Sequence, residues 1–480
     1  MRLLSTIMTV TALTACGSPR EQMGANLADT PDQTQACVDA ASAIEDKLRC
    51  IPGLELSEAS VDPTLPDGIK QYNIQFAQPI DHQHSEQGLF KQNLVLLHRS
   101  DSEPMILQTS GYSIFGVRPT SIMNRFATNQ IQIEHRFFSG STPAVVDWSK
   151  LDIKQSADDF HHITEEFKKI YKQAWVGTGA SKGGMTSVYH RYFYPNDLDG
   201  TVADVAPLSF STNDERYIDF VENAGGQQYA ACRAKFKSFQ RSLLEHRDDI
   251  LPMIQGTFTH LGSADIAFEH SVLESHFVFW QYSNPEDPDV GCAKIPENAT
   301  AQVMLDFLNK VNSVSGYTDG ELQGFFSYYF QAATQLGNPA NVTSHLQDLR
   351  KYDFTIDQYT PKDISYSYSN ESMHLVKEWA ATQAAHIMFV YGEFDPWSAG
   401  AFPSGVRSND MHLFTVKAGN HSANFSKLDL EQRTSAEQIL ARWLRKSPIA
   451  DRPAPYRSRH RSDGLEDLEF KFLRSHKQLK

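Results

Sequence analysis

The sequence predicts an α/β fold: a mostly parallel sheet flanked by helices, with a large inserted helical cap. Three observations predict it. Short, continuous, β-branched runs bounded by turn residues recur along the chain, as strands buried on both faces of a parallel sheet require. Amphipathic helical segments separate those runs. Between about residues 213 and 370 the alternation stops, and a long aromatic-rich stretch of helical pattern takes its place.

Tyr72, Ile74 and Phe76 alternate with Asn73 and Gln75, the period of a half-exposed strand, and a second strand is expected near Leu94 to Leu97. Buried runs follow at Met105 to Leu107, Ile131 to Ile133, Ala174 to Val176, Val202 to Val205, Ile387 to Tyr391 and Leu413 to Val416. One helix carries Phe160, Ile163, Phe167 and Ile170 on a single face, with Ser156 and Asp159 expected as its capping box. Another carries Ile439, Leu440, Trp443 and Leu444 behind Thr434-Ser435. The insertion contains "HFVFWQY" and "GFFSYYFQ". An aromatic stripe at helical spacing is ordinarily core, but its place between two core strands makes it a candidate lid. The expected division is 1–15 signal peptide, 16–36 polar tether, 37–212 and 371–447 the two parts of the core, 213–370 the cap, and 448–480 a tail.

The chain has 480 residues, of which 40% are hydrophobic and 21% charged, enough for a large core in two or three units. A net charge of -14 argues against nucleic acid, whose phosphates need a basic surface. Arg457, Arg459 and Arg461 are followed by acids and read as a solvated tail. His161-His162 read as exposed polar residues on a helix. With no CxxC pair and no HExxH, the sequence calls for no metal and no cofactor, and it assigns no oligomeric state.

Arg2 precedes an apolar stretch from Leu3 to Ala15, too short for a permanent membrane helix. The stretch ends in Leu13-Thr14-Ala15-Cys16, which resembles the lipobox of bacterial lipoproteins and implies cleavage before a lipidated Cys16. The alternative is a plain secretory signal, and both predict export, with membrane contact only through the anchor. Of five cysteines, Cys37, Cys50, Cys232 and Cys292 then remain. In an oxidising compartment an even number suggests two disulfides; three pairings are possible, and proximity favours Cys37–Cys50 and Cys232–Cys292.

The chemistry centres on "VGTGASKGGM". Gly179-Ala180-Ser181-Lys182-Gly183 fits G-x-S-x-G between an apolar run and a helix, the context of a nucleophile elbow. Partners follow in order: Asp395 in "YGEFDPWSAG" and His421 in "VKAGNHSAN", each just beyond an expected strand. A parallel sheet delivers all three at the carboxyl ends of its strands. The order Ser, Asp, His is that of α/β-hydrolases. His421 would take the Ser181 proton, and Asp395 would fix the imidazole tautomer. The backbone N–H of Lys182 and one from Gly111 or Tyr112, in "QTSGYSIFG", would hold the oxyanion.

"GASKGGM", "EHRFFSGSTP", "DVAPLSF", "YGEFDPWSAG" and "GNHSAN" together resemble the secreted bacterial tripeptidyl and prolyl-tripeptidyl aminopeptidases, over roughly residues 60 to 450. More distantly they are similar to the prolyl carboxypeptidase group, which has a tyrosine where this chain has Lys182. The resemblance implies an α/β-hydrolase core with a helical lid. It also implies hydrolysis of peptides near their amino terminus, with proline or small residues preferred before the cut. An esterase or acylase on the same core, or an inactive surface-binding lipoprotein, are the alternatives.

A lid above Ser181 would restrict entry to short peptides or free chain ends. Phe279, Trp280, Tyr282 and Trp397 are candidate walls of a proline pocket. A free amino terminus is a cation and calls for a carboxylate. Glu134, in "IEHRFF", is one candidate; its other reading is a pair with Arg136 or another arginine.

Overall fold

The computed structural model describes residues 31–57 and 65–449. One nine-stranded sheet organises them: β1 Leu54–Leu56, β2 Lys70–Pro79, β3 Leu89–His98, β4 Met105–Thr109, β5 Asn129–Ile133, β6 Trp175–Ala180, β7 Gly200–Asp204, β8 Ile387–Gly392 and β9 Met411–Val416. The spatial order is β1-β2-β3-β5-β4-β6-β7-β8-β9. β1, β2, β3 and β5 pair antiparallel, and from β5 through β9 every pairing is parallel.

Alternation along the buried strands feeds two apolar layers. Ile106, Val176, Val202, Met388 and Val390 pack on one face with Phe126, Ile439 and Trp443. On the other face Met105, Leu107 and Trp175 meet Phe160, Ile163 and Phe167, while Ala203, Ile387 and Phe389 meet Val188 and Val376. Both faces are covered, so these strands read as continuous apolar runs.

Two helix starts differ from expectation. The helix Ile153–Lys168 is capped by Asp152, which accepts from the Gln155 N–H at 2.7 Å; Ser156 and Asp159 lie inside it, buried. Asp429, not Thr434-Ser435, caps Leu430–Leu444. Apolar spacing marks where a helix packs, and the polar first turns lay outside that signal. His161 and His162 are half-buried and bonded to Asp197 and Gln78, not exposed. The helix Pro31–Ala40 takes in the last residues assigned to the tether. Cys16 and nearly all of the 448–480 tail lie outside the described residues.

Between β7 and β8 the chain builds a helical layer with its own core, including Phe236, Phe239, Phe268, Val272, Phe279 and Trp280. Its longest helix is Ala264–Tyr282. Disulfides join Cys37 to Cys50 and Cys232 to Cys292; the second ties the helix Ala230–Glu245 to the turn Cys292–Lys294 within this layer.

Candidate active site

β4 and β6 are parallel neighbours, so the loops at their carboxyl ends meet. Ser181 follows β6 directly and caps the helix Lys182–Phe193, with φ 54° and ψ -124°, a conformation that side chains avoid. Its N–H donates to the Asp204 carbonyl in β7 at 2.9 Å. The glycines around it give clearance. A Cβ on Gly179 would lie 2.4 Å from the Gly183 carbonyl, and one on Gly183 would lie 2.4 Å from the Thr109 carbonyl of β4. Strand, turn and helix can close on each other only without those side chains.

His421 and Asp395 follow β9 and β8. His421 Nε2 lies 2.9 Å from Ser181 Oγ, and Nδ1 lies 2.6 Å from Asp395 Oδ2. A carboxylate only accepts, so Nδ1 carries the proton and Nε2 is free to accept from the serine. Asp395 also accepts from the Trp397 N–H at 3.1 Å. The Asp395 and His421 side chains are fully buried. Burial pushes the Asp395 carboxyl above its ordinary value, opposed by the charge of His421. The His421 N–H donates to the carbonyl of Gln281 at 2.9 Å, tying the loop after β9 to the helix Ala264–Tyr282.

The loop after β4 lies on the elbow. Gly111 has φ +74°, and a Cβ there would sit 2.5 Å from the Gly183 nitrogen. Lys182 Nζ donates to the Gly111 carbonyl at 2.6 Å and lies over the rings of Tyr112 and Phe138. Burial pushes the Lys182 amine well below the usual lysine range. The Tyr112 carbonyl accepts from the His135 N–H at 3.0 Å.

A cavity of about 240 Å³ opens above Ser181, walled by Tyr112 and Lys182 from the core and by Glu274, Phe277, Gln281 and Tyr282 from the cap. Tyr282 and Trp397 do line it, their rings 6.1 and 5.9 Å from that of His421. Phe279 and Trp280 do not: both are fully buried in the cap's own core, against Phe236 and Tyr229. Glu134 is also absent from the cavity wall. It is buried, and its carboxylate accepts from Asn93 Nδ2, Ser141 Oγ and the Ile114 N–H. Its other expected partner, Arg136, instead grips Asp159.

Among the described residues two carboxylates line the cavity, Glu274 and Glu321, and sequence reasoning missed both. A signal was present: Glu274, Phe277, Val278 and Gln281 recur at the spacing of one helical face, and all line the cavity.

A family model described as PS-10 peptidase S37 matches residues 37–464. The chain is 36% identical over 447 residues to a prolyl tri/tetrapeptidyl aminopeptidase of Streptomyces mobaraensis, covering 89% of this chain and 91% of the relative. It is 22% identical over 393 residues to prolyl carboxy peptidase like protein 5 of Caenorhabditis elegans, covering 65% and 76% respectively. A solved structure of a proline iminopeptidase from Mycobacterium smegmatis aligns at 13% identity with a TM-score of 0.37, over 77% of this chain and 98% of that one. The family match spans most of the chain, and the Streptomyces relative is similar along nine-tenths of its own length. On that ground the chain belongs to the peptidase S37 family and is a peptidase of α/β-hydrolase fold.

Proposed function

We propose that this protein is an exported serine aminopeptidase, anchored by lipid at Cys16, that releases short peptides of about three residues from free amino termini, with proline or a small residue preferred before the cut. The observation that carries the chemistry is the continuous hydrogen-bonded line from Asp395 through His421 to Ser181, at the floor of a capped cavity. The substrate class follows the Streptomyces relative's name and similarity. Export rests on the Leu3–Ala15 stretch and lipobox-like Cys16, and the two disulfides suit an oxidising compartment.

Ser181 Oγ attacks the scissile carbonyl carbon as His421 Nε2 takes its proton. Asp395 stabilises the resulting imidazolium without taking the proton itself. The Lys182 N–H and one from Gly111 or Tyr112 hold the oxyanion. As the C–N bond breaks, His421 returns the proton to the leaving amine, and an acyl-enzyme remains on Ser181. Water, deprotonated by His421, then releases the short peptide. Aromatic walls at Tyr282, Phe277 and Trp397 suit a proline ring beside the cut.

Ser181→Ala is expected to abolish fluorophosphonate labelling and to lower turnover by about 10⁶-fold with the fold intact. Asp395→Asn should cost about 10⁴-fold, because the imidazole then holds the wrong tautomer. Turnover of a peptide anilide by Ser181→Ala at the native rate would end this reading. For the anchor, Cys16→Ser should move the protein from the membrane fraction to the soluble fraction.

A further inference from the structure

The cap helix that meets the catalytic histidine also carries a carboxylate into the same cavity. Among the described residues, the charged side chains along the cavity wall are Lys182, Glu274 and Glu321. Lys182 is committed to the Gly111 carbonyl. Glu274 and Glu321 are then the acidic groups of that wall. Around Glu274 stand four phenols that also line the cavity: Tyr317, Tyr328, Tyr329 and Tyr359. Tyr317 Oη donates to Glu274 and itself accepts from Asn312 Nδ2 at 2.9 Å. The Tyr329 and Tyr359 rings stack at 5.1 Å, with Tyr317 6.1 Å from Tyr359 and Tyr328 5.4 Å from Tyr329. Burial foremost, then the charge of Glu274, keeps all four phenols neutral. A carboxylate beside aromatic faces is a receptor for an ammonium group.

The helix also sets a length. Gln281, whose carbonyl holds the His421 N–H, lies two turns beyond Glu274, which is about 10 Å along the axis. An extended peptide advances about 3.3–3.6 Å per residue, so about three residues span that distance.

Resting on the aminopeptidase reading, we infer that Glu274 and its tyrosines bind the substrate's terminal ammonium. Their distance along the helix from Gln281, the residue that meets His421, then fixes how many residues are released.

The test compares specificity constants of the full-chain enzyme on peptide anilides with two, three, four and five residues before the cut, each with a free and an acetylated amine. The native enzyme should favour the free tripeptide. Glu274→Gln should lower kcat/KM on it by about 100-fold, mainly through KM, while acetylated substrates and the rate of fluorophosphonate labelling stay unchanged. Glu274→Asp, which keeps the charge, should keep the preference for free amines. Equal use of free and acetylated peptides by the native enzyme would refute the aminopeptidase reading itself. A native preference for free amines that Glu274→Gln retains would refute the assignment to Glu274 alone. A native optimum at two or five residues would refute the ruler, whatever the variants do.

Discussion

Lys182 acts through both its ends. Its backbone N–H begins the helix behind the nucleophile, while its Nζ grips the Gly111 carbonyl. In a trans peptide the carbonyl and the following N–H point in opposite directions, so this grip also aims the Tyr112 N–H. Lys182→Met keeps much of the buried volume and removes the grip. It should lower kcat by about tenfold to a hundredfold, less than outright loss of an oxyanion donor, with KM little changed. Steady-state kinetics on one anilide decide it; a change confined to KM would assign Lys182 to binding instead. At this scale Ser181, Asp395 and His421 were legible because each sits just past an apolar run in the order such a site needs. Glu134 misled because its place at the end of β5 says where the backbone goes, not which neighbours take the carboxylate. Asn93, Ser141 and Ile114 are distant in sequence or lie in loops, and no local pattern announces them.

Among the elements, the central strands were read well because burial on both faces selects short apolar runs such as Ile387–Gly392, whereas the three-residue edge strand Leu54–Leu56 is too short to show a pattern. The cap helix Ala264–Tyr282 was read less well. Buried residues, polar ones included, lie nearly all round it, so "HFVFWQY" could not say that Phe277 and Tyr282 face the cavity while Phe279 and Trp280 face the cap's core. The end of β5 braces the helix Ile153–Lys168 through Arg136, whose Nε and Nη2 each donate to Asp159 at 2.7 Å, with both side chains fully buried. Burial alone would raise the Asp159 carboxyl, but Arg136 and the bonds to it and His82 outweigh that and hold it below its ordinary value. Asp159→Asn leaves the guanidinium buried without a counter-charge and should destabilise by about 3–5 kcal/mol. A depressed carboxyl stabilises above its unfolded value and loses that contribution as pH falls. The gap between native and variant, followed by denaturant unfolding, should therefore be full at neutral pH and narrow below about pH 4. A gap independent of pH would show that packing, not charge, is at stake.

For the molecule as a whole, the cap is one long insertion held by its own apolar core and by the Cys232–Cys292 bridge, which closes a segment of 60 residues. In the chain-entropy account, a loop of that length contributes about 4 kcal/mol. Cys292→Ser should lower the melting temperature by roughly 5–10 °C in a scanning experiment. Peptidase activity below the transition should survive, because the bridge ends neither on the strands that lead to the triad nor on the helix Ala264–Tyr282 that meets His421. An unchanged melt would mean that the bridge restrains nothing the fold does not already restrain.

The backbone bond from His421 to Gln281 has a further effect. It makes the cap helix part of the frame that holds the catalytic histidine. Swinging that helix aside to admit a bulky chain would withdraw the support, so a wide-open mouth and an armed nucleophile exclude one another. On the aminopeptidase reading, a folded protein that pushed through to the serine would disarm it on the way.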